Sequence, residues 1–187
     1  MIVRDLEVLY DYDNWANRKL FQVISGLAPQ HFTQTVAGSD GSIRNTMVHA
    51  VSAKWGWLSR CGGGPERGSA LKPADYPAVE SLMETCSKVE VYVCEFLSRL
   101  KDDDLDRSVE FVNSRGEKRS MPLGELMQHA AIHGVHHRGQ LALLLRLVGH
   151  VPGNFDMLFY FADRRSRVGV VGRMASTAAQ HAAGADR

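Results

Sequence analysis

The chain has 187 residues, 44% hydrophobic and 23% charged, with 22 basic and 21 acidic residues and a net charge of +1. That is enough length for one domain with a buried core, and the charge balance gives no electrostatic reason to expect a nucleic-acid or membrane partner. Three cysteines, Cys61, Cys86 and Cys94, cannot all pair within one chain and form no CxxC motif, which suits a reducing compartment. Arg4, Asp5 and Glu7 stand where a signal peptide needs an apolar run. The most apolar window, 141-LALLLRLV-148, is interrupted by Arg146 and is too short to span a bilayer. A cytoplasmic location is expected.

The first helical pattern runs from about Leu6 to Leu27, with Leu9, Ala16, Leu20, Val23, Ile24 and Leu27 on one side. Gly26 and Pro29 mark its end. The second follows 38-GSDGS-42, with Ser42 as N-cap, and reaches about Arg60; its stripe is Ile43, Met47, Ala50, Val51, Trp57 and Leu58. The Gly- and Pro-rich run 62-GGGPERGSALKP-73 breaks it. A third spans about Ala78 to Leu100, opened by Pro77 near N1, with Val79, Leu82, Met83, Cys86, Val89, Val93, Phe96, Leu97 and Leu100 as its buried face.

Between the third and fourth helices, Val109, Phe111 and Val112 read as a short strand. A turn at 113-NSRG-116 and a return over 117-EKRSM-121 would make a small hairpin or an irregular loop. The fourth helix runs from about Pro122 to Val148 and ends before Gly149 and Pro152. A short aromatic segment, 154-NFDMLFYFADRRS-166, is expected to pack back on the helices. The expected fold is all-α, a four-helix bundle over residues 1–167. An Ala-rich tail over 168–187 is expected to be a frayed helix or disordered.

The stretch 129-HAAIHGVHHRGQ-140 carries four of the eight histidines. With Leu126 set at zero on a helical wheel, His133 falls at about 340° and His137 at about 20°, inside the apolar stripe. His129 falls at about 300°, on the flank, and His136 at about 280°, towards solvent. The i, i+4 spacing puts His133 and His137 one turn apart on one face, where two imidazoles can share one metal ion. Burying both without a ligand leaves ring nitrogens in need of partners. The bland alternative is a hydrogen-bonded pair in the core or at the surface. His49, on the second helix, falls at about 240° from Ile43, off the main stripe. Periodicity alone leaves it open between a close helix contact and the surface.

The motif 133-HGVHHRGQ-140, the segment 42-SIRNTMVHAVSAKWGWLSR-60, the first-helix stretch 10-YDYDNWANRKLF-21 and the ending 149-GHVPGNFDMLFYF-161 together resemble the DinB/YfiT-like family of metalloenzyme-like proteins. The resemblance covers about residues 5–162. It implies a four-helix bundle in up-down-down-up order. It also implies a divalent metal (nickel, zinc or iron) bound by three histidines, which fall on His49, His133 and His137 here. It implies a homodimer, and in some relatives transferase or isomerase activity with a low-molecular-weight thiol. Two positions depart from the pattern. Lys54 stands where relatives often carry an acidic residue, with consequences for substrate charge if it lines the pocket. Asp13 stands where relatives tend to have Asn; the alternatives are a partner for a ligand histidine and a solvated carboxylate.

Around the histidines, His129 is expected to be a non-ligand and His136 to lie at the surface or an interface. Arg138 is expected to form an ion pair with a neighbouring helix or a partner chain, and Gly139 to permit a close helix crossing. Trp15, Trp55 and Trp57 are expected to be packing or interface aromatics. No GxSxG, P-loop or dinucleotide fingerprint is present, so any chemistry belongs to the metal. With three neutral histidines, that metal keeps an open position for water or substrate and is equally suited to a thiolate. The leading expectation is a metal-dependent enzyme, a thiol transferase or a hydrolase. The competing one is a metal-binding stress-response protein, dimeric or partner-binding, without turnover.

Overall fold

Apolar residues at helical spacing build four long helices. In the computed structural model, which describes residues 1–37, 41–65 and 69–166, these are α1 (Val3–Ile24), α3 (Ile43–Arg60), α4 (Val79–Leu97) and α5 (Leu123–Leu147). A short α2 (Pro29–Thr33) lies between the first two. Pro29, read from sequence as a terminator, sits in the first turn of α2, where its missing N–H costs nothing. Ser42 caps α3 as expected, accepting from the Asn45 amide at 3.1 Å. At α4 the cap position belongs to Ala78, so Pro77 lies just before the helix rather than at its first turn. The segment before α5 forms a hairpin, β1 (Ser108–Val112) paired antiparallel with β2 (Lys118–Pro122).

The molecule divides into two compact units, Met1–Gly153 and Asn154–Arg187. In the second, the described residues form a helix, α6, over 157–166. The expected tail over 168–187 lies outside the described residues.

Within the first unit, α5 packs on both α1 and α3, and α4 packs on both α1 and α3. Named contacts fix these pairings. Tyr10 on α1 donates to the Met127 carbonyl on α5 at 2.9 Å, and Arg18 on α1 meets Glu90 on α4 at 3.4 Å. Gly63, just past α3, lets Leu58 and Phe96 close in; a Cβ there would stand 2.4 Å from Leu58 and 2.6 Å from Phe96. One end of the core gathers Leu6, Leu58, Phe96, Leu105, Val109, Leu126 and Met127. It therefore draws on all four long helices and on the hairpin. The α1 N-terminus is tied to this end by Asp102, whose carboxylate accepts from the Val3 amide at 2.8 Å. Among the described residues no helix is long and apolar enough to cross a membrane.

Candidate metal centre

The packing of α3 against α5 brings His49 to His133 and His137. The ring centroids of His49 lie 5.7 Å from His133 and 4.6 Å from His137, and those of His133 and His137 are 4.4 Å apart. One ring nitrogen from each of the three residues falls within 4.8 Å of the others. His137 is buried, His133 half-buried and His49 exposed, so the cluster is rooted in the core and open on one side.

The donor chemistry fits a metal ion. Gln140 Oε1 lies 2.6 Å from His137 Nδ1 and accepts its N–H, which leaves the Nε2 lone pair of the neutral ring directed at the cluster. That Nε2 stands 3.3 Å from His133 Nε2. Two nitrogens bound at about 2.05 Å to a tetrahedral ion stand about 3.3 Å apart. Burial, reinforced by His137, His49, His129 and His136, pushes the His133 imidazolium down to about 4. Burial also lowers His137, against its hydrogen bond to Gln140, which raises it. Both rings are therefore neutral at physiological pH, the form in which imidazole binds a metal.

An aromatic wall leads away from the cluster. Trp57 packs edge-on against His129 at 5.1 Å and against Phe111 of the hairpin at 5.2 Å, and His129 lies 5.7 Å from His133. Arg60 covers the Trp57 ring at 5.0 Å. His129 and His136 are both exposed, and neither belongs to the three-histidine group. The cysteines stay thiols: burial pushes Cys61 up to about 11 and Cys86 up to about 12.

Comparison with known proteins settles the relationship. The DinB family model matches residues 1–166. The chain belongs to the DinB family. It is 22% identical over 157 residues to Protein DinB of Bacillus subtilis, covering 81% of this chain and 91% of that protein. Its fold is similar to the crystal structure of a DinB-like protein from Bacillus cereus, with a TM-score of 0.67 at 23% identity, over 82% of this chain and 97% of that one. A DinB-like protein from Bacillus subtilis is similar with a TM-score of 0.50 at 17% identity, over 80% and 92% of the two chains. At these identities the structural likeness speaks for the fold alone.

Asp13 and Lys54 meet in one place. Asp13 is fully buried and touches neither solvent nor a ligand histidine; it pairs with Lys54 of α3 and Arg138 of α5. Asn17 donates to its Oδ2 at 3.3 Å, and Arg138 Nη1 donates to Asn17 Oδ1 at 3.0 Å. Burial alone would raise the Asp13 carboxyl, but the two cations and their hydrogen bonds outweigh it and hold it below the usual range. The same carboxylate outweighs burial at Lys54 and raises its ammonium. Neither expectation for Asp13 holds, because the carboxylate is buried between Lys54 and Arg138, away from water and from the histidines. Lys54 likewise lies inside the core. The ion pair expected for Arg138 is made with a neighbouring helix. The close approach expected at Gly139 is absent among the described residues, where nothing lies within 4 Å of its missing Cβ. Gly134 is the glycine that makes room: a Cβ there would stand 2.6 Å from Asp13 Oδ1. Sequence reading missed two features, the Gln140 contact and the Trp57–Phe111 wall. The i, i+3 spacing of His137 and Gln140 signals the first; nothing local signals the second.

Proposed function

We propose that this chain is a divalent-metal-dependent enzyme of the DinB family, of thiol-transferase or hydrolase type, acting on a small molecule. One observation carries the reading: imidazoles from α3 and α5 converge, with His133 and His137 Nε2 at metal-ligand spacing and one side open. His49, His133 and His137 would hold the ion, and nickel, zinc and iron all suit imidazole donors. A divalent ion on three neutral histidines keeps an open position and supplies Lewis-acid activation. The remaining work falls to the protein. Gln140 holds the His137 proton away from the cluster. The exposed edge of His49 admits substrate, and Trp57, Phe111 and His129 form an apolar wall against which a substrate body can lie.

The helix contacts support a four-helix bundle in up-down-down-up order within Met1–Gly153. Tyr10 with Met127 and Asp13 with Arg138 match α1 running alongside α5. Arg18 with Glu90 and Ser25 with Met83 match α4 running against α1. A homodimer is supported by the outer face of α5, where Ile132, Val135, Leu143 and Leu147 are exposed around Gly139. A low-molecular-weight thiol as cosubstrate, a cytoplasmic location and a place in a stress response rest on the family placement. The reading without turnover draws support from the make-up of the cluster, which is histidine only and contains no carboxylate to serve as general base.

Two measurements test the proposal. Elemental analysis of purified protein is expected to give about one divalent ion per chain. The metal-loaded protein is then offered electrophiles with low-molecular-weight thiols, and a panel of hydrolysable esters and amides. Turnover that disappears with the metal supports the enzyme; bound metal without turnover on either panel leaves the binding protein.

A further inference from the structure

A second polar site lies deeper between the helices, and its chemistry is the reverse of the first. Asp13, Lys54 and Arg138 line a cavity of about 20 Å³, together with Asn17, Cys86 and Gly134. A cavity holds one small solvent species once about 10–15 Å³ is open to it. Arg138 is 4% exposed and Lys54 6%, so both side chains have left water almost completely. Arg138 Nη1 is satisfied by Asp13 and Asn17, but its Nε and Nη2 have no hydrogen-bond partner. Lys54 Nζ meets Asp13 Oδ2 and no other acceptor. An arginine carries five N–H donors and an ammonium three, so roughly five buried N–H groups remain unspent.

Two cations face one buried carboxylate. Glu90, the next acid, feels Lys54 first and Arg18 second, and meets the half-exposed Arg18 at 3.4 Å. Cys86 is no anion, because burial keeps it a thiol, and its S–H points at Glu90 at 3.9 Å. The cluster therefore carries more buried N–H donors than acceptors, a costly arrangement unless something answers it. Water answers it poorly. Its two hydrogens need acceptors, and the Asp13 carboxylate already receives Lys54, Arg138 and Asn17.

We propose that this cavity binds one small monovalent anion of chloride size, held by Lys54 and Arg138 beside Asp13. An anion can accept from both Lys54 and Arg138 and, unlike water, brings no hydrogen that needs an acceptor. It also joins α1, α3 and α5 at a point one residue from His137. The site requires no metal at the histidines, so it stands apart from the proposed activity.

The test uses the full chain, once stripped of metal by chelator and once metal-loaded, at constant ionic strength. Sodium gluconate, whose anion is too large for the cavity, is exchanged stepwise for sodium chloride. A saturable rise in Tm of about 5 °C is expected in both forms, and the Lys54→Met variant is expected to lose it. Crystals grown in bromide are expected to show an anomalous peak between Lys54 and Arg138, which needs no variant to fold. Gluconate raising Tm as far as chloride would overturn the site. So would bromide peaks confined to the surface, or an ordered water refined in the cavity.

Discussion

Two polar clusters join α3 to α5, and they are built from opposite halves of hydrogen-bond chemistry. In the histidine cluster, lone pairs converge: Gln140 takes the His137 proton on one side and leaves Nε2 facing His133 at 3.3 Å on the other. In the cluster around Asp13, N–H groups converge on one carboxylate. The first is open at His49 and offers lone pairs; the second is buried and offers more N–H donors than acceptors. The contrast separates a place that receives an ion for chemistry from a place where charge locks helices together. Buried charge of both signs stabilises a fold only when paired, whereas neutral imidazoles tolerate burial and wait for a metal.

The contrast breaks most severely if the histidines are removed. The His133→Ala/His137→Ala variant is expected to fall from about one ion per chain to background by elemental analysis, with its helical circular dichroism retained. Full metal content in that variant would disprove the site.

Removing the carboxylate acts on stability instead. Asp13→Asn leaves two buried cations without their partner and is expected to cost about 3–5 kcal/mol in denaturant unfolding, while the folded protein still binds its metal. The effect carries a pH signature. The folded carboxyl lies below its unfolded value near 3.9, so its contribution is fully present above about pH 4 and is lost as pH falls through the lower folded value. Wild type and variant are therefore expected to converge in stability below pH 4. A gap that stays constant into acid would mean that Asp13 is not held as an anion by the fold.

Smaller effects sharpen the comparison. Gln140→Leu removes the group that fixes the His137 tautomer and is expected to weaken metal binding by about 10- to 100-fold in a competitive chelator titration. Unfolding by denaturant should scarcely register it. Ser42→Ala is expected to cost about 1 kcal/mol by loss of the α3 cap, with metal affinity unchanged when measured on the folded protein.

Much of this was legible locally. The periodicity of Leu20, Val23 and Ile24, of Val89, Val93 and Phe96, and of Leu141 and Leu144 marks three helices and their buried sides. Those residues are buried in the structure except Val23, which stays half-exposed. The hairpin was visible from Val109, Phe111 and the 113–116 turn. His133 and His137 were visible as a pair because one helix sets both their spacing and their face. His49 was not, because its wheel position lies off the α3 stripe and only the neighbouring helix gives that side a purpose. Asp13 was misread for the same reason: a lone carboxylate in a helical sequence looks like a solvated or histidine-bound group until its partners arrive from other helices.

What the sequence by itself determined, then, is everything carried by one element at a time: the helices, the Ser42 cap, the hairpin, the His133–His137 pair and the membership in a family. What only the tertiary structure decided is which residues meet across helices: His49 with the pair, Trp57 with Phe111, and Asp13 between Lys54 and Arg138. The physical reason is range. Backbone hydrogen bonds and side-chain periodicity act over three or four residues. The burial of a charge or the convergence of lone pairs depends on which helix faces which, and that is decided only when the whole core closes.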